Sequence, residues 1–201
     1  MRSYWLPLCA AATALALTGC GGGDETSNET TAEQPGAAAK AAGDQTIAAG
    51  LDQNGRFFAA AKAAGLDATL AGPGPYTVLV PSDEAFGKLP EGRFDDLTQQ
   101  ENRAELTRVL TYHILPGTVL VEDIGRAIEN SDGNAVLATM GGETLSAARD
   151  GDAIVLSDSA GGKARIVQPD ARRTNGVVHV IDTVLIPPEV AGQAAQEPAA
   201  Q

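Results

Sequence analysis

The sequence predicts an α+β fold, with N-terminal helices packed on an antiparallel sheet of short strands. Three observations carry that expectation. Capped helical segments crowd the first half of the candidate domain, interrupted by a single strand. Short β-prone segments separated by glycine-bearing turns fill its second half. No unit of about 20–50 residues repeats, which sets aside solenoids and propellers. Helices first and a meander of strands last belong to the α+β class rather than to alternating α/β.

The elements follow in order. Asn54 is positioned to cap a helix from Gly55 to Ala64, with Phe57, Phe58 and Ala61 on its apolar face and Gly65 as its stop. A weak helix over Asp67–Ala71 ends at Gly72-Pro73-Gly74-Pro75, a run that admits no regular structure. Tyr76–Val80 is continuously apolar apart from Thr77 and predicts a buried strand, broken by Pro81. Ser82 is a good N-cap for a short helix whose first turn holds Asp83 and Glu84, where negative charge is favoured. Thr98-Gln99-Gln100-Glu101 has the form of a capping box, and Leu106, Val109, Leu110 and Ile114 follow at helical spacing until Pro116-Gly117.

Beyond Pro116 the expected strands are Val119–Val121, Ala135–Met140, Thr144–Arg149, Asp152–Leu156, Ala164–Gln168 and Val177–Ile186, the last the longest, with a helical turn or two over Glu122–Glu129. Asp150-Gly151 favours a tight hairpin, and Asn175-Gly176 is read as turn chemistry.

The ends differ from this core. Residues 21–45 and 191–201 contain small and polar side chains and bury too little apolar surface to offset their ordering entropy. The expected organisation of the 201 residues is a leader over 1–19, a modified cysteine and tether over 20–45, one domain over 46–188 and a tail over 189–201. In the leader, Arg2 is followed by an apolar stretch from Leu6 to Leu17, shorter than the roughly 20 residues a membrane-spanning helix needs. Leu17-Thr18-Gly19-Cys20 resembles the bacterial lipobox, which implies cleavage before Cys20 and acyl chains on that cysteine. Cleavage removes Cys9, so no internal disulfide is expected. Export to the cell envelope with a lasting lipid anchor is the expectation, and Gly21 in place of Asp points to the outer membrane where the source has two.

Charge and chemistry narrow the function. A formal charge of −12, with Arg172-Arg173 the only adjacent basic pair, argues against nucleic acid as a partner. Ser82, His113 and Asp83 or Asp182 are nominal parts of a nucleophilic triad, but Ser82 sits in Pro-Ser-Asp and is better used as a helix cap. His113 and His179 stand 66 residues apart without other metal-ligand spacing, so no metal, cofactor or catalytic residue is expected.

Three segments resemble the blocks of fasciclin-like domains. They are Gly74-Pro75-Tyr76-Thr77-Val78-Leu79-Val80-Pro81-Ser82-Asp83-Glu84-Ala85-Phe86, then Leu110-Thr111-Tyr112-His113-Ile114-Leu115-Pro116-Gly117, then Asn175 through Pro187. Leu79 and Ser82 stand where Phe and Thr are commoner. The resemblance implies a single wedge-shaped module of about seven short strands. It also implies an adhesive role toward a cell-surface, matrix-protein or polysaccharide partner, played by a monomeric domain. Tyr112 and His113 match the contact positions suspected in animal members. The residues themselves favour packing for Tyr112 and a hydrogen bond to a backbone carbonyl at the helix end for His113. Two rival roles stay open: a carrier of an apolar small molecule such as a carotenoid, and an envelope or stress-associated protein without a single ligand.

Overall fold

A computed structural model describes residues 43–188. The leader, Cys20, the tether up to residue 42 and the tail from residue 189 lie outside the described residues. Helices α1 (Ile47–Gly50), α2 (Arg56–Ala64) and α3 (Asp67–Ala71) precede strand β1 (Tyr76–Pro81). Then come α4 (Asp83–Gly87), α5 (Arg93–Thr98), a 3-10 turn over Gln100–Asn102, α6 (Arg103–Tyr112), β2 (Ile114–Pro116) and α7 (Val121–Glu129). The chain finishes with β3 (Asn134–Ala138), β4 (Thr144–Asp150), β5 (Ala153–Ser157), β6 (Lys163–Arg173) and β7 (Gly176–Ile181).

The seven strands form one sheet in the order β2-β1-β7-β6-β5-β4-β3. The α+β class is as the sequence predicts, but the sheet is not wholly antiparallel. β1 and β7 run parallel, with Tyr76 opposite Gly176 and Pro81 opposite Ile181. Only a short hairpin forces antiparallel pairing, and the whole of the intervening chain separates these two strands, so either direction is open to them.

Their position explains their largely apolar character. Successive side chains of a strand point to opposite faces. Val78 and Val178 enter one core with Phe57, Phe86, Leu97, Leu106 and Leu110 of the helices. Leu79 and Ile181 enter a second core with Tyr112, Ile124, Leu145 and Leu156. β1 and β7 are therefore buried on both faces, whereas β4 and β5 alternate between buried and more exposed positions over this second core.

Local signals hold where chemistry is self-contained. Gly65 ends α2 in the left-handed region at φ 76°, and the Ser82 side chain accepts from the Ala85 amide at 3.2 Å to cap α4. Others yield to tertiary partners. Gly55, not Asn54, is the α2 N-cap, and Asp83 supplies the missing acceptor by taking the Arg56 amide at 3.0 Å from 27 residues away. Thr98 closes α5 and does not open α6, because its hydroxyl donates back to the carbonyls of Phe94 and Asp95. Val119–Val121 forms no strand. Ile114–Pro116 takes that place on β1, and Val121 already begins α7. β7 stops at Ile181, and β6 is the longest strand, kept in step with β7 by register shifts after Ile166 and after Gln168. The β4–β5 hairpin turns on Gly151-Asp152, since Asp150 is still paired with Ala153.

Candidate functional site

The sequence-marked residues converge around β1 and β7, and each is occupied by the fold. Tyr112 ends α6 and is 0% exposed. Its hydroxyl donates to the Thr144 carbonyl at 3.3 Å, and burial raises its pKa well above the ordinary phenol value. His113 follows at 1% exposure. Nδ1 lies 2.7 Å from the Val109 carbonyl, an α6 end group without a helical donor, and Nε2 lies 3.2 Å from the Leu185 amide nitrogen. These partners assign the neutral tautomer with hydrogen on Nδ1 and an accepting Nε2. Burial holds the His113 pKa down at about 4 against the opposing pull of the Val109 carbonyl and Asp158.

His179, at the centre of β7, shows the mirror arrangement. Its Nε2 donates to the Val119 carbonyl at 2.8 Å, and its Nδ1 accepts from the Asp170 amide at 3.0 Å. Its side chain is fully buried, and desolvation depresses its pKa. Asp182, just past β7, accepts from the Arg165 amide at 2.8 Å and from the Thr183 hydroxyl at 3.0 Å. Burial opposes the charged form of Asp182, but these hydrogen bonds, with Lys88 and Arg165, bring its pKa below the ordinary value. Ser82 is the α4 cap.

No proton relay runs through this set as it stands. The free lone pair of His113 already accepts a backbone amide, and so does that of His179, leaving neither imidazole a position from which to deprotonate Ser82. Among the described residues no three or more His, Cys, Asp or Glu side chains gather in a group that could hold a metal ion.

Asn175 is a residue whose importance the sequence reading missed. Its Oδ1 accepts from the Ile47 amide at 2.7 Å, and its Nδ2 donates to the carbonyls of Leu70 at 2.9 Å and Gly72 at 2.8 Å. One amide thus joins the start of α1, the end of α3 and the β6–β7 turn. A turn-prone Asn beside a buried strand was the available signal, and it conceals this role because only the fold brings residues 47, 70 and 72 to it.

Several depressions open on the surface of the described residues. A cleft of about 270 Å³ between α2 and the sheet is lined by Leu51, Phe58, Val80, Gln168 and Arg173 among others. A second, of about 360 Å³, lies over the outer strands beside Lys163, Arg165, Asp150 and Ser157.

A family model described as the fasciclin domain matches residues 53–187. The chain belongs to the fasciclin-domain family. Its fasciclin domain is similar to protein sll1483 of Synechocystis sp., 35% identical over 143 residues, which are 71% of this chain and 72% of that one. It is also similar to transforming growth factor-beta-induced protein ig-h3 of Sus scrofa, 36% identical over 129 residues, covering 64% of this chain and 17% of that protein. Among solved structures it resembles a FAS1 domain pair from the insect cell adhesion molecule fasciclin I, with a TM-score of 0.52 and 25% identity. That match covers 73% of this chain and 51% of the domain pair, so this chain spans about half of that structure.

Proposed function

We propose that this fasciclin domain is a non-enzymatic adhesion module, presented outside the cell on a lipid anchor at Cys20 and binding a cell-surface, matrix-protein or polysaccharide partner. The observation that carries the reading is the saturation of the polar residues best suited to chemistry. Ser82, His113, His179 and Asp182 each hold backbone groups in place. Membership of a family with an insect cell adhesion molecule supports the same reading. Among the described residues, a space between the helices walled by Phe57, Phe86, Leu106 and His113 is about 10 Å³, room for at most one water molecule. That favours binding on the outer surface over carriage of a carotenoid between the helices.

The test is attachment. Beads carrying the purified protein are offered native envelope, matrix proteins and polysaccharides, with heat-unfolded protein as control. Saturable capture of one class supports adhesion. Esterase, peptidase or glycosidase turnover by the parent that disappears in a Ser82→Ala, His113→Ala double variant overturns the non-enzymatic reading. Mass spectrometry of the native N-terminus tests the anchor, and an unmodified Cys20 removes it.

A further inference from the structure

The segment Gly117–Val121 joins β2 to α7 and is held largely by side chains from the sheet. Thr77 on β1 donates to the Gly117 carbonyl and accepts the Val119 amide, both at 2.8 Å. His179 on β7 donates to the Val119 carbonyl at 2.8 Å. Asp170 on β6 accepts the Val121 amide at 3.0 Å, and Asp123 accepts the Leu120 amide at 3.1 Å. A loop fixed in this way depends on the protonation state of the groups that fix it.

His179 and Asp170 are coupled to each other as well. The Asp170 amide donates to Nδ1, while its own Oδ1 stands 3.8 Å from that nitrogen and is engaged with Val121. Asp170 keeps a non-glycine backbone at φ 57° in doing so, in the region that L side chains rarely adopt.

We propose that His179 and Asp170 form a pH-operated latch, which pins the Gly117–Val121 loop and the start of α7 to the sheet at neutral pH and releases them in acid. A proton on Nδ1 turns that atom from acceptor into donor. It then faces the Asp170 N–H, a second donor, and draws the Asp170 carboxylate away from the Val121 amide. One proton therefore breaks the Asp170–His179 bond and competes for the bond that starts α7.

β6, paired with β7, carries Lys163, Arg165, Arg172 and Arg173 besides Asp170. Opposite His179, β1 places the uncharged Leu79, which also donates its amide to the His113 carbonyl on its other side. On α7, the carboxylates of Glu122 and Asp123 lie 3.6 and 2.7 Å from Arg126. Desolvation keeps His179 neutral while the latch is closed, so the proton favours the open form. Opening loosens Val119, Val121 and Ile124 from the second core and uncovers apolar surface beneath α7.

The test is amide hydrogen exchange on the purified chain at pH 7.5, 6.5 and 5.5, corrected for the intrinsic pH dependence of exchange. If the open state restores an ordinary histidine pKa near 6.5, the opening constant for residues 119–129 rises about tenfold between pH 7.5 and 5.5, while β1 amides stay protected. In His179→Gln, which keeps a donor and an acceptor but cannot titrate, that rise is lost. Nitrogen NMR of the imidazoles in the parent protein provides the measurement that survives a poorly folding variant. His179 should hold its hydrogen on Nε2 at pH 7.5 and gain one on Nδ1 over the pH range in which the α7 amides open. Protection of α7 that persists until the whole domain unfolds overturns the latch. So does opening that leaves the His179 Nδ1 unprotonated, or a pH-dependent rise that survives His179→Gln.

Discussion

His113→Ala is the most informative single substitution, because it separates a structural histidine from a contact histidine. The ring is 1% exposed and joins the end of α6 to Leu185, 72 residues on, through its two nitrogens. Truncation deletes two hydrogen bonds, each contributing about 0.5–1.5 kcal/mol net, and leaves the Leu185 amide and Val109 carbonyl buried without them, at about 1–3 kcal/mol for a stranded group. Together with the lost packing of the ring, the expected loss is about 3–5 kcal/mol, against a total stability of about 5–15 kcal/mol for an ordinary domain. The assay is urea unfolding at pH 7.5, followed by circular dichroism, with a thermal melt beside it. A drop of roughly 10 °C in Tm should accompany the lower urea midpoint, at about 2–4 °C per kcal/mol for a domain near this size. A loss below about 1 kcal/mol at an unchanged denaturant slope would refute the bridging role. If attachment to a partner also vanished from such a stable variant, His113 would be a contact residue instead.

Three more outcomes follow from the same network. His113 is neutral in the fold with a pKa of about 4, so below the ordinary histidine value of about 6.5 the unfolded chain takes up a proton that the fold refuses. Its stabilisation is complete above pH 6.5 and drains as pH falls toward 4, by about 2 kcal/mol at pH 5. The urea midpoint of His113→Gln should show that much less pH dependence, and an identical slope in both proteins would contradict the assignment. Asn175→Asp puts a carboxylate oxygen against the Leu70 and Gly72 carbonyls in place of a donor, so it should destabilise by about 3 kcal/mol in the same assay; a neutral result would remove Asn175 as a clamp. Ser82→Ala removes a helix cap and should lower stability by about 1 kcal/mol while leaving attachment intact, with abolished attachment the contrary finding.

The sequence by itself determined what depends on neighbouring residues. Gly65 ends α2 because a left-handed residue is needed one step past the helix, and Ser82 caps α4 because its hydroxyl lies within reach of an amide three residues on. The largely apolar run Tyr76–Val80 foretold a buried β1, and three blocks of residues pointed to the family that residues 53–187 now establish. Tertiary structure decided everything that spans distance. The parallel pairing of β1 with β7, the capping of α2 by Asp83, the Asn175 clamp and the hold of His179 and Asp170 on the α7 entry each join residues that no local window contains. Local conformation follows steric and hydrogen-bonding preferences written into a few adjacent residues. A buried polar side chain takes its partner from whichever backbone groups the packed cores leave without one, and those groups are defined only once the cores have formed.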